Sequence, residues 1–253
     1  MAKSRRSGEC SVLALLLALA LPALYPASSR AQDITLKQTT TTTGAPMGGG
    51  GGPQTETIYL SRNAIRHASS SGSDLIMRFD QEKMISIDHA RKTYTAVTFD
   101  EMQKMIDEAA GAMKQMDPKQ VEAMRQAMGG GLGEVKVTKL GPGETIAGYA
   151  TEKYEVSMPP MVMETHAAPA LPLPPAYYNA MKLRTPGTGM FDASKMYDEM
   201  KKITGLVLKQ VSTMTIMNMS STTTTVTTSV EKGALPPSTF DPPAGYKAVP
   251  VGS

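Results

Sequence analysis

Glu164 and His166 are the pair of side chains best spaced for chemistry in this sequence. Two residues apart on an extended segment, they share a face and could share a metal ion. His67 and His89 stand in turn-like or exposed contexts, and no histidine pair shows zinc-finger or His-x-x-x-His spacing. Solvated surface histidines are the plainer reading, so no metal ligand is assigned. Methionine is the other resource, with 20 copies against no tryptophan and 4 phenylalanines. Thioethers can fill a core, line a soft and adaptable apolar groove, or bind copper(I). Met158, Met161 and Met163, or Met214, Met217 and Met219, have spacing that permits the copper role, although no Met-rich repeat with interleaved histidine accompanies them. No nucleophile elbow or acid–base pair stands out. The glycine run from Gly48 lacks the Gly-Lys-Ser/Thr that a phosphate loop needs. An enzyme is not expected, and neither catalytic residues nor cofactors are assigned.

The elements that must position these groups are mostly strands. Asp33–Thr43 is rich in threonine and extended. Thr55–Ser61, Ala64–Ser69, Asp74–Phe79, Met84–Asp88 and Thr93–Thr98 form an antiparallel meander. Thr98 and Glu101 then make a capping box, followed by Met102, Met105, Ile106, Ala109, Met113 and Met116 at helical spacing. Asp117-Pro118 starts a second helix with Val121, Met124 and Met128 as its stripe. Asp192–Ile203 is a third helix, with Met196, Met200 and Ile203 as its stripe and Gly205 as its stop. Between them Glu134–Leu140 is a strand that turns at Gly141-Pro142-Gly143. Thr145–Met158 alternates as one long strand with Ile146, Ala150, Tyr154, Val156 and Met158 on a single face. Glu152 is the odd member of that face. Either it lies at a rim, or a bulge near Gly148-Tyr149 reverses the register and turns Tyr149 inward. Met161–Ala167 is the next strand, Pro169–Pro175 with its four prolines is irregular or extended, and Leu206–Met217 with Thr222–Val230 closes the chain as a hairpin.

The first residues indicate a compartment. Lys3, Arg5 and Arg6 precede an apolar run, Val12–Ala23, and Ser29-Arg30-Ala31 has the small-x-small pattern of a cleavage site. Residues 1–31 read as a secretory signal peptide, which places the remainder in the periplasm or otherwise outside the cytoplasm. No later run is apolar enough for a transmembrane segment. Cys10, the one cysteine, lies inside this signal, so the rest of the chain has no thiol and no disulfide. Removing residues 1–31 takes away Lys3, Arg5, Arg6, Arg30 and Glu9, and the formal charge falls from +3 to about zero. Nucleic acid is not an expected partner, because no basic stripe remains.

Three stretches carry a family resemblance: Thr145-Ile-Ala-Gly-Tyr-Ala-Thr-Glu-Lys-Tyr-Glu-Val, Ile203-Thr-Gly-Leu-Val-Leu and Phe240-Asp-Pro-Pro-Ala-Gly-Tyr. With the order of elements, they resemble the DUF4412 family within the LolA/LolB-like group of periplasmic lipoprotein carriers. The resemblance implies an α+β fold: a curved, incompletely closed antiparallel half-barrel with helices covering its concave face. Residues 32–253 would form one such domain with a flexible Gly-rich loop at 44–53. The implied function is a soluble carrier-like protein for an apolar ligand, an acyl chain or lipid-like molecule. The alternative is an envelope interaction or sensor module that binds a segment of another envelope protein in the groove. The expected apolar lining is Ile146, Ala150, Tyr154, Val156 and Met158 from the sheet, with Met102, Met105 and Met113 as a lid.

Overall fold

The structure, a computed structural model, describes residues 33–44, 52–117, 119–120, 135–177, 193–216 and 219–251. The expected signal peptide, most of the Gly-rich loop and most of the second helix lie outside these residues. The N-terminal strands are β1 (Ile34–Thr43), β2 (Gln54–Leu60), β3 (Ala64–Ser69), β4 (Ser73–Arg78), β5 (Lys83–Asp88) and β6 (Thr93–Thr98). Helix α1 (Phe99–Lys114) follows, then β7 (Lys136–Ile146), β8 (Tyr149–Met158) and β9 (Met161–Ala168). Helix α2 (Ala193–Met200), β10 (Leu206–Ile216), β11 (Met219–Lys232) and β12 (Lys247–Ala248) complete the order. No helix among the described residues is long and apolar enough to cross a membrane.

All twelve strands join one sheet, in the order β12-β6-β5-β4-β3-β2-β1-β11-β10-β9-β8-β7. Every pairing is antiparallel except β12 with β6. The sheet is a curved half-barrel that does not close. Two meanders are thus sewn together by the chain's first and last long strands, with Ile34 opposite Lys232 and Thr43 opposite Thr222. Threonine suits this seam: β-branching favours the pleat, and cross-strand hydroxyls pair, as in Thr40–Thr225 at 2.9 Å and Thr42–Thr223 at 3.1 Å.

The inner face holds two apolar cores. Leu36, Ile58, Leu60, Ile65 and Met77 pack with Leu171, Leu206 and Leu208. Val137, Tyr154, Val156 and Ala167 pack with Ile203 and with Met196 and Met200 of α2, which covers that end of the sheet. Glu199 of α2 accepts the Val137 amide of the edge strand at 2.8 Å. The outer face carries a third core, Ala64, Ile76, Ile85 and Ile87 under Phe240 of the C-terminal tail. The capping box forms as its spacing requires. The Glu101 carboxylate accepts the Thr98 amide at 2.8 Å, and Thr98 Oγ1 accepts the Glu101 amide at 3.1 Å. The Thr98 amide, and the Thr98 hydroxyl donating to the same carboxylate oxygen at 2.8 Å, hold the Glu101 carboxyl below its usual range.

One expected strand is two. Thr145 and Ile146 end β7, the chain reverses at Ala147-Gly148, and β8 begins at Tyr149, with Ile146 opposite it. Both turn residues have positive φ, 49° and 84°, the backbone that a two-residue hairpin demands. The expected turn at Gly141-Pro142-Gly143 is instead a bulged part of β7, which slips register between Pro142 and Thr145. Ala147 holds a conformation that costs a non-glycine residue about 1–2 kcal/mol. Ala147→Asn should therefore raise stability by about 0.5–1 kcal/mol, since asparagine tolerates this region better. Urea unfolding would measure it.

Candidate functional site

The inner face is apolar at both ends and polar across the middle. Register places Thr42, Thr223, Ser212 and Met163 in one transverse row, and Thr40, Thr225, Gln210, Thr165 and Tyr154 in the next. Where this band meets the first core there is a recess of about 220 Å³. Leu36, Ile58, Ile65, Leu206 and Leu208 form its apolar wall, and Gln38, His67, Gln210 and Thr225 its polar side. Gln38 is buried and donates to Thr227 Oγ1 at 3.0 Å. His67 Nδ1 lies 3.0 Å from Glu56 Oε1. Gln210 Nε2 donates to Ser212 Oγ at 3.0 Å and contacts Met163 Sδ at 3.2 Å.

The proline-rich segment supplies the cover. Leu173 and Tyr177 line the recess. Leu171 is fully buried, and its carbonyl accepts the Leu206 amide at 2.8 Å. Tyr177 meets Phe79 edge-to-face, with ring centroids 6.5 Å apart. Leu171-Pro-Leu-Pro-Pro bends at Leu171, runs without regular structure through Pro174 and turns helical at Pro175, its leucines alternating with prolines. That alternation was the available signal for an apolar strap; a segment expected to be irregular or extended gains a role at the recess.

None of the expected lining residues whose side chains are described borders this recess. Ile146 is buried in the first core itself, among the leucines and isoleucines that wall the recess. Tyr154 and Val156 are each 1 % exposed beneath α2, with Met158 half-buried beside them. Tyr154 donates to Glu152 Oε2 at 2.7 Å and accepts the Thr204 amide at 3.3 Å. Ala150 stays on the Tyr154 face of β8 but is exposed, lying past Glu152 at the rim beside Lys139 and Pro142. Met102 is half-buried and Met105 is 43 % exposed on α1, while the Met113 side chain lies outside the described residues. Glu152 sits half-buried on the Tyr154 face and pairs with Lys139 at 2.7 Å, a rim position.

Glu164 and His166 do meet, on the outer face, with His166 Nε2 3.0 Å from Glu164 Oε1. Cations complete the cluster. Lys153 Nζ lies 2.7 Å from Glu164 Oε2, and Lys209 pairs with Glu144. The Lys209 hydrogen bond holds the Glu144 carboxyl below its usual range, and Lys153, then His166, do the same for Glu164. His166 is nearly buried, with Nδ1 3.5 Å from Thr151 Oγ1. An ion-pair network occupies the carboxylates that a shared metal would need. Among the described residues, no group of three His, Cys, Asp or Glu side chains is arranged to hold a metal ion.

The motifs behind the family resemblance do structural work. Gly205 allows the close approach of β10 to Ala168, and Phe240 and Tyr246 anchor the tail. No curated protein matches the chain. Among solved structures, MucB in complex with MucA(peri) is 13% identical, covering 87% of this chain and 57% of that one, with a TM-score of 0.38. MucB alone gives 13%, 87%, 60% and 0.37. An outer membrane lipoprotein-sorting protein domain from Vibrio parahaemolyticus gives 8%, 83%, 89% and 0.30. The chain thus spans little more than half the length of the MucB chains it resembles. The profile of a domain of unknown function, DUF4412, matches residues 47–246, and the chain belongs to that family.

Proposed function

We propose that this protein is a non-catalytic, carrier-like protein of the cell envelope that holds an apolar group of an amphiphilic ligand in the inner-face recess. The recess itself carries the reading: an aliphatic wall, a strap of Leu173 and Tyr177, and amide and hydroxyl groups on one side. The signal-like pattern of residues 1–31 supports an extracytoplasmic setting. Its 220 Å³ equals roughly seven water volumes at about 30 Å³ each, room for a comparable run of methylenes. At about 0.8 kcal/mol per methylene, such a segment gains roughly 6 kcal/mol. Association costs about 4 kcal/mol or more. The margin is small, so a polar head on the Gln38–Gln210 side must supply the rest. A single acyl chain with a hydrogen-bonding head fits these terms; a whole multi-chain lipid does not.

Titration with an environment-sensitive fluorescent fatty acid should give saturable binding that unlabelled fatty acid displaces. Leu173→Trp, which pushes bulk into the recess from its half-buried strap, should weaken binding about tenfold, or ~1.4 kcal/mol, without moving the melting midpoint. Absence of saturable binding would sink the proposal. Full binding by the variant would move the ligand away from this recess.

A further inference from the structure

The recess leaves a second feature of the inner face unused. Register places Met158 opposite Met161, and Met161 opposite Met214, so three methionines form one transverse row across β8, β9 and β10. Met163 lies two residues along β9 from Met161, on the same face, between Val156 and Ser212 in the adjacent row. Met158 and Met163 pack against the same core as Met196 and Met200 of α2. Directly opposed side chains have Cβ atoms about 4.5–5.5 Å apart, and three rotatable bonds let each methionine swing its sulfur toward its neighbours. The row is open: Met214 is 41 % exposed, while Met158, Met161 and Met163 are half-buried.

Packing alone explains this poorly. A sheet end that needed only apolar cover would be better specified by branched aliphatics with defined rotamers. Instead, four adjacent positions on one face carry thioethers. Thioethers are neutral and soft, have no proton to displace, and select copper(I) over the hard and borderline ions that take carboxylate or imidazole. The only cysteine of the sequence, Cys10, lies within the signal-like segment, so methionine is the soft ligand type that the rest of the chain offers, and these four positions gather it on one face. Unlike thiols, they cannot be lost to disulfides in an oxidising compartment.

We propose that Met158, Met161, Met163 and Met214 form a thioether site for a soft monovalent cation, copper(I), at the open end of the inner face. The site is separate from the recess and does not depend on the ligand proposed there. Gln210 joins the two: it lines the recess and contacts the Met163 sulfur.

The test is an anaerobic titration of the full chain against copper(I) held by a chromophoric copper(I) chelator, repeated with silver(I) as a redox-inert surrogate and zinc(II) as a borderline-ion control. The wild type should withdraw both monovalent ions and leave zinc, with X-ray absorption showing sulfur as the scatterer. The triple variant M158L/M161L/M214L keeps the apolar volume and deletes the sulfurs. It should bind at least roughly tenfold more weakly, since even outer-shell changes act on that scale. Its melting midpoint and fatty-acid titration should match the wild type, which separates loss of this site from failure of the recess. Should the triple variant melt early, Met161→Leu alone removes the central sulfur and should give the same direction of change. Equal copper(I) binding by the leucine variants, or a wild type that leaves copper(I) on the chelator, would overturn the proposal.

Discussion

Gly205→Ala is expected to destabilise the protein by about 2–5 kcal/mol, a large part of the roughly 5–15 kcal/mol that holds a typical domain. Two costs combine. Gly205 has φ of 91°, and a side chain in that left-handed region costs about 1–2 kcal/mol. A Cβ there would also collide with the backbone carbonyl of Ala168, and overpacking of that kind costs about 1–3 kcal/mol. Neither neighbour can yield cheaply. Ala168 is fully buried, and Leu206, next in the chain, donates its amide to Leu171 at 2.8 Å. A shift would pull Ile203 from one core and Leu206 from the other.

Two other glycines separate the terms. Gly148 has φ of 84° but open space around its Cβ position, so Gly148→Ala should show the conformational cost alone, about 1–2 kcal/mol. Gly233 has neither constraint, and Gly233→Ala should be neutral or stabilising by up to about 1 kcal/mol. Urea midpoints of the three variants give the order directly. If Gly205→Ala merely equals Gly148→Ala, the Ala168–Pro169 backbone moves aside freely and the clash term is wrong.

Local structure was largely legible in the sequence. Ala64–Ser69 and Thr93–Thr98 are strands with the expected bounds, and Thr98 with Glu101 caps α1. These features depend on short-range alternation and on hydrogen bonds spanning three residues. The Ala147-Gly148 reversal was hidden because apolar alternation runs through it, Ile146 on one side and Tyr154 on the other. Gly141-Pro142-Gly143 also looked like the stronger turn signal. Bulges then absorbed that tripeptide into β7, a matter of partner register that one strand's sequence does not encode.

The recess was illegible for a different reason. Leu36 and Ile58 stand opposite each other on β1 and β2, but Leu206, Leu208 and Gln210 reach them only through the β1–β11 seam. No local pattern announces a pairing across almost two hundred residues. The methionine row shows the contrast. Met158, Met161 and Met163 were recognisable as a group from spacing, but Met214 joined them through the β9–β10 register, while Met217 lies outside the described residues.

Asp74→Ala is expected to cost about 3 kcal/mol and to loosen the C-terminal tail before the sheet unfolds. Asp74 is 4 % exposed on the outer face. Its Oδ2 accepts from Arg66 Nε at 2.9 Å, and its Oδ1 lies 3.1 Å from His89 Nε2. Arg66 also donates to the Thr239 carbonyl at 2.8 Å, and His89 Nδ1 lies 2.8 Å from the Tyr246 hydroxyl. One carboxylate therefore orients two of the side chains that grip the tail, Arg78 being a third through Asp241 at 2.8 Å. Breaking a buried pair by removing one partner costs about 3–5 kcal/mol; the lower end applies because Arg66 keeps 16 % side-chain exposure. Hydrogen exchange should quicken at Lys247 and Val249, whose amides bond to Lys92 and Tyr94. Tyr246→Phe alone should cost about 1 kcal/mol, the worth of one hydrogen bond. Because its hydroxyl acts through His89, the double variant should be little worse than Asp74→Ala, whereas independent sites would add. Additive costs would mean that His89 holds its position without Asp74. Coupled costs would mean that Asp74, His89 and Tyr246 act as one latch that holds the tail against the outer face.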